Sequence, residues 1–300
     1  MWMPPLPLLS LLPFVASGCA VNTDRDHDGE NAPTANDLPR QPRMAWVFSS
    51  GGPRSYVHVG VLKALDELGV APDLLVGASV GSLVSVLRAA GMSGLQLERL
   101  ALELNPVSLA RVARLFGGES ERLSGAAIAE LVRDQLRALG RTPELEKLPL
   151  MVVCVAHRIE PGSPGTVAFN CGDAGLAVQA SSAIEGQFTP VRIRGQRHVD
   201  SDLHVPLPVR IARQLGAQRV LAVDASAHED KAPSGAERYR SGDLRKRATT
   251  KPDAAAADLL LHPHFGYWVN LSREFRQRAI EAGYRETLAQ GARIKALHAA

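Results

Sequence analysis

Gly77-Ala78-Ser79-Val80-Gly81 sets a serine between two glycines, with an apolar run, Asp73 to Ala78, in front of it and a helical periodicity, Val80 to Ala90, behind. This is the context of a nucleophile elbow, where a sharp turn between strand and helix projects a hydroxyl from the sheet edge. Gly77 and Gly81 have a mechanical purpose there, because missing side chains let neighbouring backbone pass. The helix beginning at Val80 aims its positive end at charge developing beside Ser79. A neutral hydroxyl is a poor nucleophile and needs a base. Asp200 is the candidate, since it follows the segment Val191 to Val199, precedes Pro206 and Pro208, and so sits on a constrained turn. Partial burial there would raise its pKa towards working pH. Asp202 competes for the role.

The hydroxyl also needs donors for an oxyanion. Met44 to Ser49 reads as a buried strand, followed by Gly51-Gly52 and a helix through Val57, Val61, Leu62 and Leu65 that Gly69 closes. A right-handed crossover to the next strand brings the two carboxyl ends side by side and sets Gly51-Gly52 beside Ser79. Pro53 has no N–H, so the donors are drawn from Gly51, Gly52 and Arg54. The Arg54 charge serves an oxyanion, a phosphate headgroup, or the loop itself.

Beyond the elbow, Met92 to Leu148 is mostly helical by its Leu and Ala spacing, and strands follow at 150–156 and 166–170. Then come a helix at Leu176 to Ile184, the turn at Asp200, a helix at Pro208 to Leu215 and a strand at Arg219 to Asp224. His228 to Ala257, polar and punctuated by Gly and Pro, reads as a long surface loop; its Arg245-Lys246-Arg247 is either solvated or set against anionic headgroups. A short strand at Asp258 to Leu261 and an amphipathic helix from about Ser272 to His298 end the chain. Such alternation argues for an α/β fold with a mainly parallel central sheet and helices on both faces.

Three blocks together, Ser50-Gly51-Gly52-Pro53-Arg54, the Gly77 to Gly81 elbow, and Asp200 with its trailing prolines, resemble those of the patatin-like phospholipase family. Ser181-Ser182-Ala183-Ile184 with Phe188-Thr189-Pro190 is similar to the family segment upstream of its acidic residue, and the likeness runs from about Met44 to Asp224. The resemblance implies a three-layer architecture and a Ser79–Asp200 dyad without histidine, metal or cofactor. It also implies acyl hydrolysis of a lipid or phospholipid. Two departures from the family pattern affect three positions: Ser55 replaces a glycine, and Asp-Gly-Gly becomes Asp200-Ser201-Asp202. The altered Asp block leaves a second reading, a catalytically weak or inactive lipid-binding lipoprotein on the same fold.

A Ser-His-Asp α/β-hydrolase is the enzymatic rival, with His204, His262 and His264 available, but its elbow normally follows several strands and here only one precedes it. A dinucleotide-binding domain fails on glycine spacing and on the lack of an acidic ribose ligand after the second strand. A formal net charge of +3, spread along the chain, gives no reason to invoke nucleic acid.

At the N-terminus, Leu6 to Val15 is apolar and too short to span a bilayer, and Ala16-Ser17-Gly18 leads into Cys19 in a pattern that resembles the lipobox of bacterial lipoproteins. The expected plan is an export signal at 1–18, a lipid-anchored flexible linker at 19–43 and a hydrolase domain at 44–300. That places the domain in the bacterial cell envelope, facing the periplasm, attached to a membrane through Cys19. Asp24, Asp26, Asp28 and Gly29 imitate the start of a calcium loop, but its twelfth position is Ala35, so linker is the better reading. Cys154 and Cys171 either pair across two strands or remain buried thiols.

Overall fold

The computed structural model of the protein describes residues 25–104 and 123–299. The signal, Cys19, Asp24 and the stretch 105–122 of the expected helical region lie outside the described residues.

Strand β1 (Met44–Phe48) is buried at every position, as is β2 (Leu74–Ala78). Burial on both faces is what parallel strands under helices require. Strand β1 pairs in parallel with β2 on one side and with β7 (Arg219–Val223) on the other. Beyond them, β8 (Leu259–Leu261) adds to β7 and β3 (Met151–Arg158) adds to β2, again in parallel. The sheet changes character at β3, where β4 (Gly165–Phe169) and β6 (Gln196–Asp200) run antiparallel to it, and β5 (Val191–Ile193) pairs antiparallel with β6. The result is an eight-stranded sheet, parallel through its centre.

Side chains alternate across each strand, so every strand feeds two layers. Met44, Trp46 and Phe48 face a core shared with helices α1 (Tyr56–Leu68), α2 (Val80–Ala89), α3 (Gly94–Glu103), α4 (Ala126–Ala138) and α5 (Ala174–Ser181). Ala45 and Val47 face the opposite layer, where Val209 and Ala212 of α6 (Val209–Gln214) pack. The expected α/β three-layer architecture is what the chain adopts.

Three local expectations are corrected, and one segment to which no element was assigned gains two strands. Residues 191–199 fold as the β5–β6 hairpin, turned by Arg194 and Gly195 at φ 49° and 74°, the left-handed pair that a two-residue hairpin loop needs. The supposed loop at 228–257 contains α7 (Arg240–Ala255), whose polar sequence conceals a helix tied down at the buried Asp253 carboxylate, where Oδ2 accepts from both Nε and Nη2 of Arg210 and Oδ1 accepts from its backbone N–H. The C-terminal helix is two helices, α8 (Arg273–Ala289) and α9 (Gly291–Ala299). The linker, from Arg25 on, is docked: His27 N–H donates to Arg192 O, Thr34 bridges to Cys171, and Asn36 and Asn170 exchange two hydrogen bonds of 2.8 and 2.7 Å. Backbone polar groups hold it, which is why a stretch with little to bury still orders. Cys154 and Cys171 are both free thiols, and burial pushes the Cys154 pKa up to about 12.

Helix α1 underlies the loop between β1 and the elbow, and its closest partner is α8. A Cβ at Gly60 would stand 1.8 Å from the Ile280 carbonyl oxygen, and one at Gly283 would stand 2.2 Å from that of Val57. The two backbones therefore touch at reciprocal glycines, which no larger residue permits. Gly60→Ala must push α8 away and should lower stability by ~2 kcal/mol or more. Urea unfolding checks this; an unchanged midpoint would refute the close crossing.

Candidate active site

Strand β3 determines where the two principal side chains meet. On one edge it pairs with β4 from Cys154 to Arg158. Its other edge is shared: β2 occupies Met151 to Val155, and β6 occupies Ala156 to Arg158 from the opposite direction. Ala78 ends β2 opposite Val155, and Asp200 ends β6 opposite Ala156. Two strands thus finish end to end, with Ser79 emerging from one and Asp200 closing the other.

Ser79 holds φ 55° and ψ −125°, outside the regions open to an ordinary L residue, at a cost of ~1–3 kcal/mol that the surroundings must sustain. Gly77 and Gly81 allow the turn to close. A Cβ on Gly77 would lie 2.3 Å from Gly81 O, and one on Gly81 would lie 2.3 Å from Phe48 O at the end of β1. Beneath the turn, Ser79 N–H donates to Ser181 Oγ at 2.9 Å, Ser181 Oγ donates to Val155 O at 2.6 Å, and Ser82 Oγ donates to Gly77 O at 2.7 Å. The end of α5 braces both strand ends, because Ala183 O also accepts from Asp200 N–H at 2.9 Å.

Asp200 is 4% exposed. Its Oδ1 accepts from Asp202 N–H at 2.8 Å, while Oδ2 is buried with no aligned donor. Burial pushes the pKa from 3.8 up to about 7, helped by the negative charge of Asp202; the Ser79 side chain, the Asp202 amide and Lys246 pull it down. The Ser79 hydroxyl is thus close enough to favour the carboxylate without closing an aligned bond, a looseness common before substrate binds.

Asp202, the rival base, is held differently. Its Oδ1 accepts from Ser50 Oγ and, at 2.5 Å, from Lys246 Nζ of α7. Although burial works against it, Lys246 and Ser50 leave its pKa below the ordinary aspartate value. Ser201 is fully buried and turns its hydroxyl to Val155 O at 3.2 Å. Neither substituted position takes the place of Asp200, and Lys246, whose separation of 44 residues from Asp202 hides their contact from a reading of the sequence, compensates the added charge. The substituted Ser55 is likewise fully buried, with its Oγ unpartnered.

The glycine loop requires one correction. Arg54 N–H donates to Gly51 O at 3.0 Å, so it is not free for an oxyanion. The guanidinium turns away, donating to Ala225 O, Gly266 O and Tyr267 O at 3.0–3.1 Å and lying 4.6 Å from the Phe265 ring centroid. Arg54 is a strut. Among the described residues the amides of Gly51 and Gly52 have no acceptor, and Gly52 at φ 51° adopts the left-handed conformation that favours glycine. Nor do the histidines reach the elbow: His204 stacks on His157 at 3.5 Å, and His262 and His264 cluster around His228.

Beside the glycine loop opens an apolar cavity of about 220 Å³, lined by Gly52, Pro53, Tyr56, Leu97 and one face of α2. For scale, an apolar cavity of ~150 Å³ accepts benzene.

A family model described as patatin-like phospholipase matches residues 46–213. An uncharacterized NTE family protein of Mycobacterium tuberculosis is 30% identical over 188 residues, covering 63% of this chain and 50% of that protein. The chain therefore spans about half the length of that relative. Patatin-like phospholipase domain-containing protein 6 of Homo sapiens is 29% identical over 199 residues, 62% of this chain and 14% of that one. VipD from Legionella pneumophila shares the fold at a TM-score of 0.56 and 13% identity, over 88% of this chain and 70% of that one.

Two outcomes follow from the electrostatics. Because the folded-state pKa of Asp200 is raised from 3.8 to about 7, its contribution to stability is fully present below pH 3.8 and is lost as pH rises through 7. Asp200→Asn should accordingly stabilise the fold by ~2–4 kcal/mol at about pH 8 and give no gain near about pH 3, as urea titrations at both values will show. Lys246→Met removes a charge that favours ionised Asp200 and should move the Asp200 pKa further upward; a carbon-13 carboxyl titration that moves it down would contradict this geometry.

Proposed function

The chain belongs to the patatin-like phospholipase family, and from that premise we propose that it is a serine acyl hydrolase acting on lipid esters, with Ser79 as nucleophile and Asp200 as general base. One observation carries the reading above the others: a strained serine and a buried carboxylate with an open oxygen finish two strands that meet end to end on β3.

In the proposed reaction Ser79 Oγ attacks the ester carbonyl carbon while its proton passes to Asp200. Negative charge collects on the carbonyl oxygen, where the amides of Gly51 and Gly52 and the positive end of α2 stabilise it. Collapse breaks the carbon–oxygen bond to the leaving alcohol, which takes the proton from Asp200. Water then repeats the sequence on the acyl-enzyme, giving its proton to Asp200, and Ser79 recovers it as the fatty acid departs. The apolar cavity beside the loop supports an acyl chain as the occupant, and by proportion to benzene its 220 Å³ suits roughly nine carbons. The non-hydrolytic reading rested on Ser201 and Asp202, and both side chains are engaged away from Asp200 Oδ2.

A fluorophosphonate probe tests the proposal. The parent protein should be labelled, Ser79→Ala should not, and Asp200→Asn should react ~10²–10⁴-fold more slowly. The parent's labelling rate should fall about tenfold per pH unit below pH 7, as Asp200 takes up its proton. Absence of labelling in the parent at any pH would end the hydrolase reading.

A further inference from the structure

The loop between β8 and α8 presents Trp268, Val269 and Leu271 to solvent, at 51%, 47% and 43% exposure. The loop is nonetheless fixed at its base: Arg54 holds the carbonyls of Gly266 and Tyr267, and the Tyr267 hydroxyl bonds to Asp243 of α7. Trp268 stands edge-on to Tyr267 and Tyr239 at 5.2 and 5.9 Å, and Tyr239 and Leu244 extend the exposed apolar surface onto the start of α7. A rigid, outward-facing cluster of this kind marks a surface that meets a partner.

Two features of this surface identify the partner. The first is charge: positions 238–251 hold Arg238, Arg240, Arg245, Lys246, Arg247 and Lys251 against a single acid, Asp243. Lys246 and Arg247 are paired with Asp202 and Glu229, but Arg240, Arg245 and Lys251 are exposed and form no ion pair among the described residues. The second is continuity, because Leu271 belongs both to the exposed cluster and to the wall of the apolar cavity beside Gly52 and Pro53. The surface thus combines interfacial aromatics, unneutralised cations and the mouth of an acyl-sized cavity. A protein groove would satisfy the first alone.

We infer that the Trp268 loop and α7 form a docking surface that seats the mouth of the cavity on an anionic phospholipid bilayer. Tyr and Trp rings lodge at the headgroup level, cations meet lipid phosphates, and a substrate chain enters past Leu271 without crossing water. The inference rests on the lipid-hydrolase reading but is tested separately from it.

Full-length protein carrying Ser79→Ala, which leaves lipid unhydrolysed, and Cys19→Ser, which removes any acyl attachment there, is floated with two kinds of vesicle. One is phosphatidylcholine alone; the other is phosphatidylcholine mixed with phosphatidylglycerol. The protein should float with the mixed vesicles, and Trp268→Ser with Val269→Ser should weaken this about tenfold. Arg240→Glu with Arg245→Glu and Lys251→Glu should abolish the preference for anionic vesicles and its salt dependence. Residues 1–18 are common to all variants, so the differences report the docking surface. Failure of the protein to float with mixed vesicles, or equal flotation of the Trp268→Ser/Val269→Ser variant, overturns the inference. With Ser79 restored, Trp268→Ser/Val269→Ser should still hydrolyse a monomeric short-chain ester at the parent rate; a parent inactive on every ester refutes the hydrolase reading and leaves the flotation result to stand alone.

Discussion

A strand offers each position on its edge to one neighbour, and on β3 that limit brings the site together. Strand β2 pairs as far as Val155, so β6, arriving from the opposite direction, pairs from Ala156 onward and stops where β2 stops. The serine and the aspartate are therefore joined through backbone register, without either side chain having to reach. The end of α5 reinforces the junction, since Ser181 receives the Ser79 amide while Ala183 receives that of Asp200. A shift of β6 by one residue would turn Asp200 to the other face of the sheet. The β5–β6 hairpin turn, small as it is, helps to exclude that shift.

Two aspartates in one turn are driven in opposite directions by what surrounds them. Asp200 is buried with a single backbone donor on its Oδ1, and its pKa rises to about 7; Asp202 meets Lys246 and Ser50, and its pKa falls. Separation of this kind is how a site distinguishes a proton acceptor from a spectator carboxylate. Asp202 also links the turn bearing Asp200 to Ser50 at the entrance of the glycine loop and to α7. Where the family pattern has a glycine, this chain has a tie between three segments. The burial of Asp200 and the backbone of Ser79 both work against stability, the usual condition of groups placed for reactivity rather than for folding.

Much of this was readable from residue order, and what was not has definite physical causes. The elbow, the glycine loop and the parallel strands announce themselves because glycine position and apolar runs are local signals. Strand β5, three residues long, is too short to carry a period. Helix α7 lacks an apolar stripe and holds Pro252, so it resembled a loop; the contact of Arg210 with Asp253 that secures it joins distant parts of the chain. The same holds for Lys246 and Asp202. The docking of residues 25–36 rests on backbone hydrogen bonds, which composition does not reveal. The role of the Arg54 side chain stays open in the sequence because its type suits an oxyanion or a phosphate equally well as a strut, and only the direction of the side chain decides between them.

On the proposed hydrolase reading, helix α2 connects the chemistry to the substrate. Its first turn, just after Ser79, faces the reacting centre, and Val80, Leu83, Val84 and Leu87 line the apolar cavity. Spacings of three, four and seven residues place these side chains on one face. At 1.5 Å per residue the stripe extends about 10 Å from the elbow. An acyl chain lying along it would have its ester carbonyl at the positive end of the helix, and its methylenes would replace water along the remainder. Ser82, Ser85, Val86 and Ala89 form the fully buried face of the same helix, so on the proposed reading the stripe beside them would set the direction in which a substrate lies. On the proposed mechanism the nucleophile and the acyl groove share one rigid element, and the oxyanion donors sit on the neighbouring glycine loop that also lines the groove, so recognition of the chain and alignment of the carbonyl would be a single event.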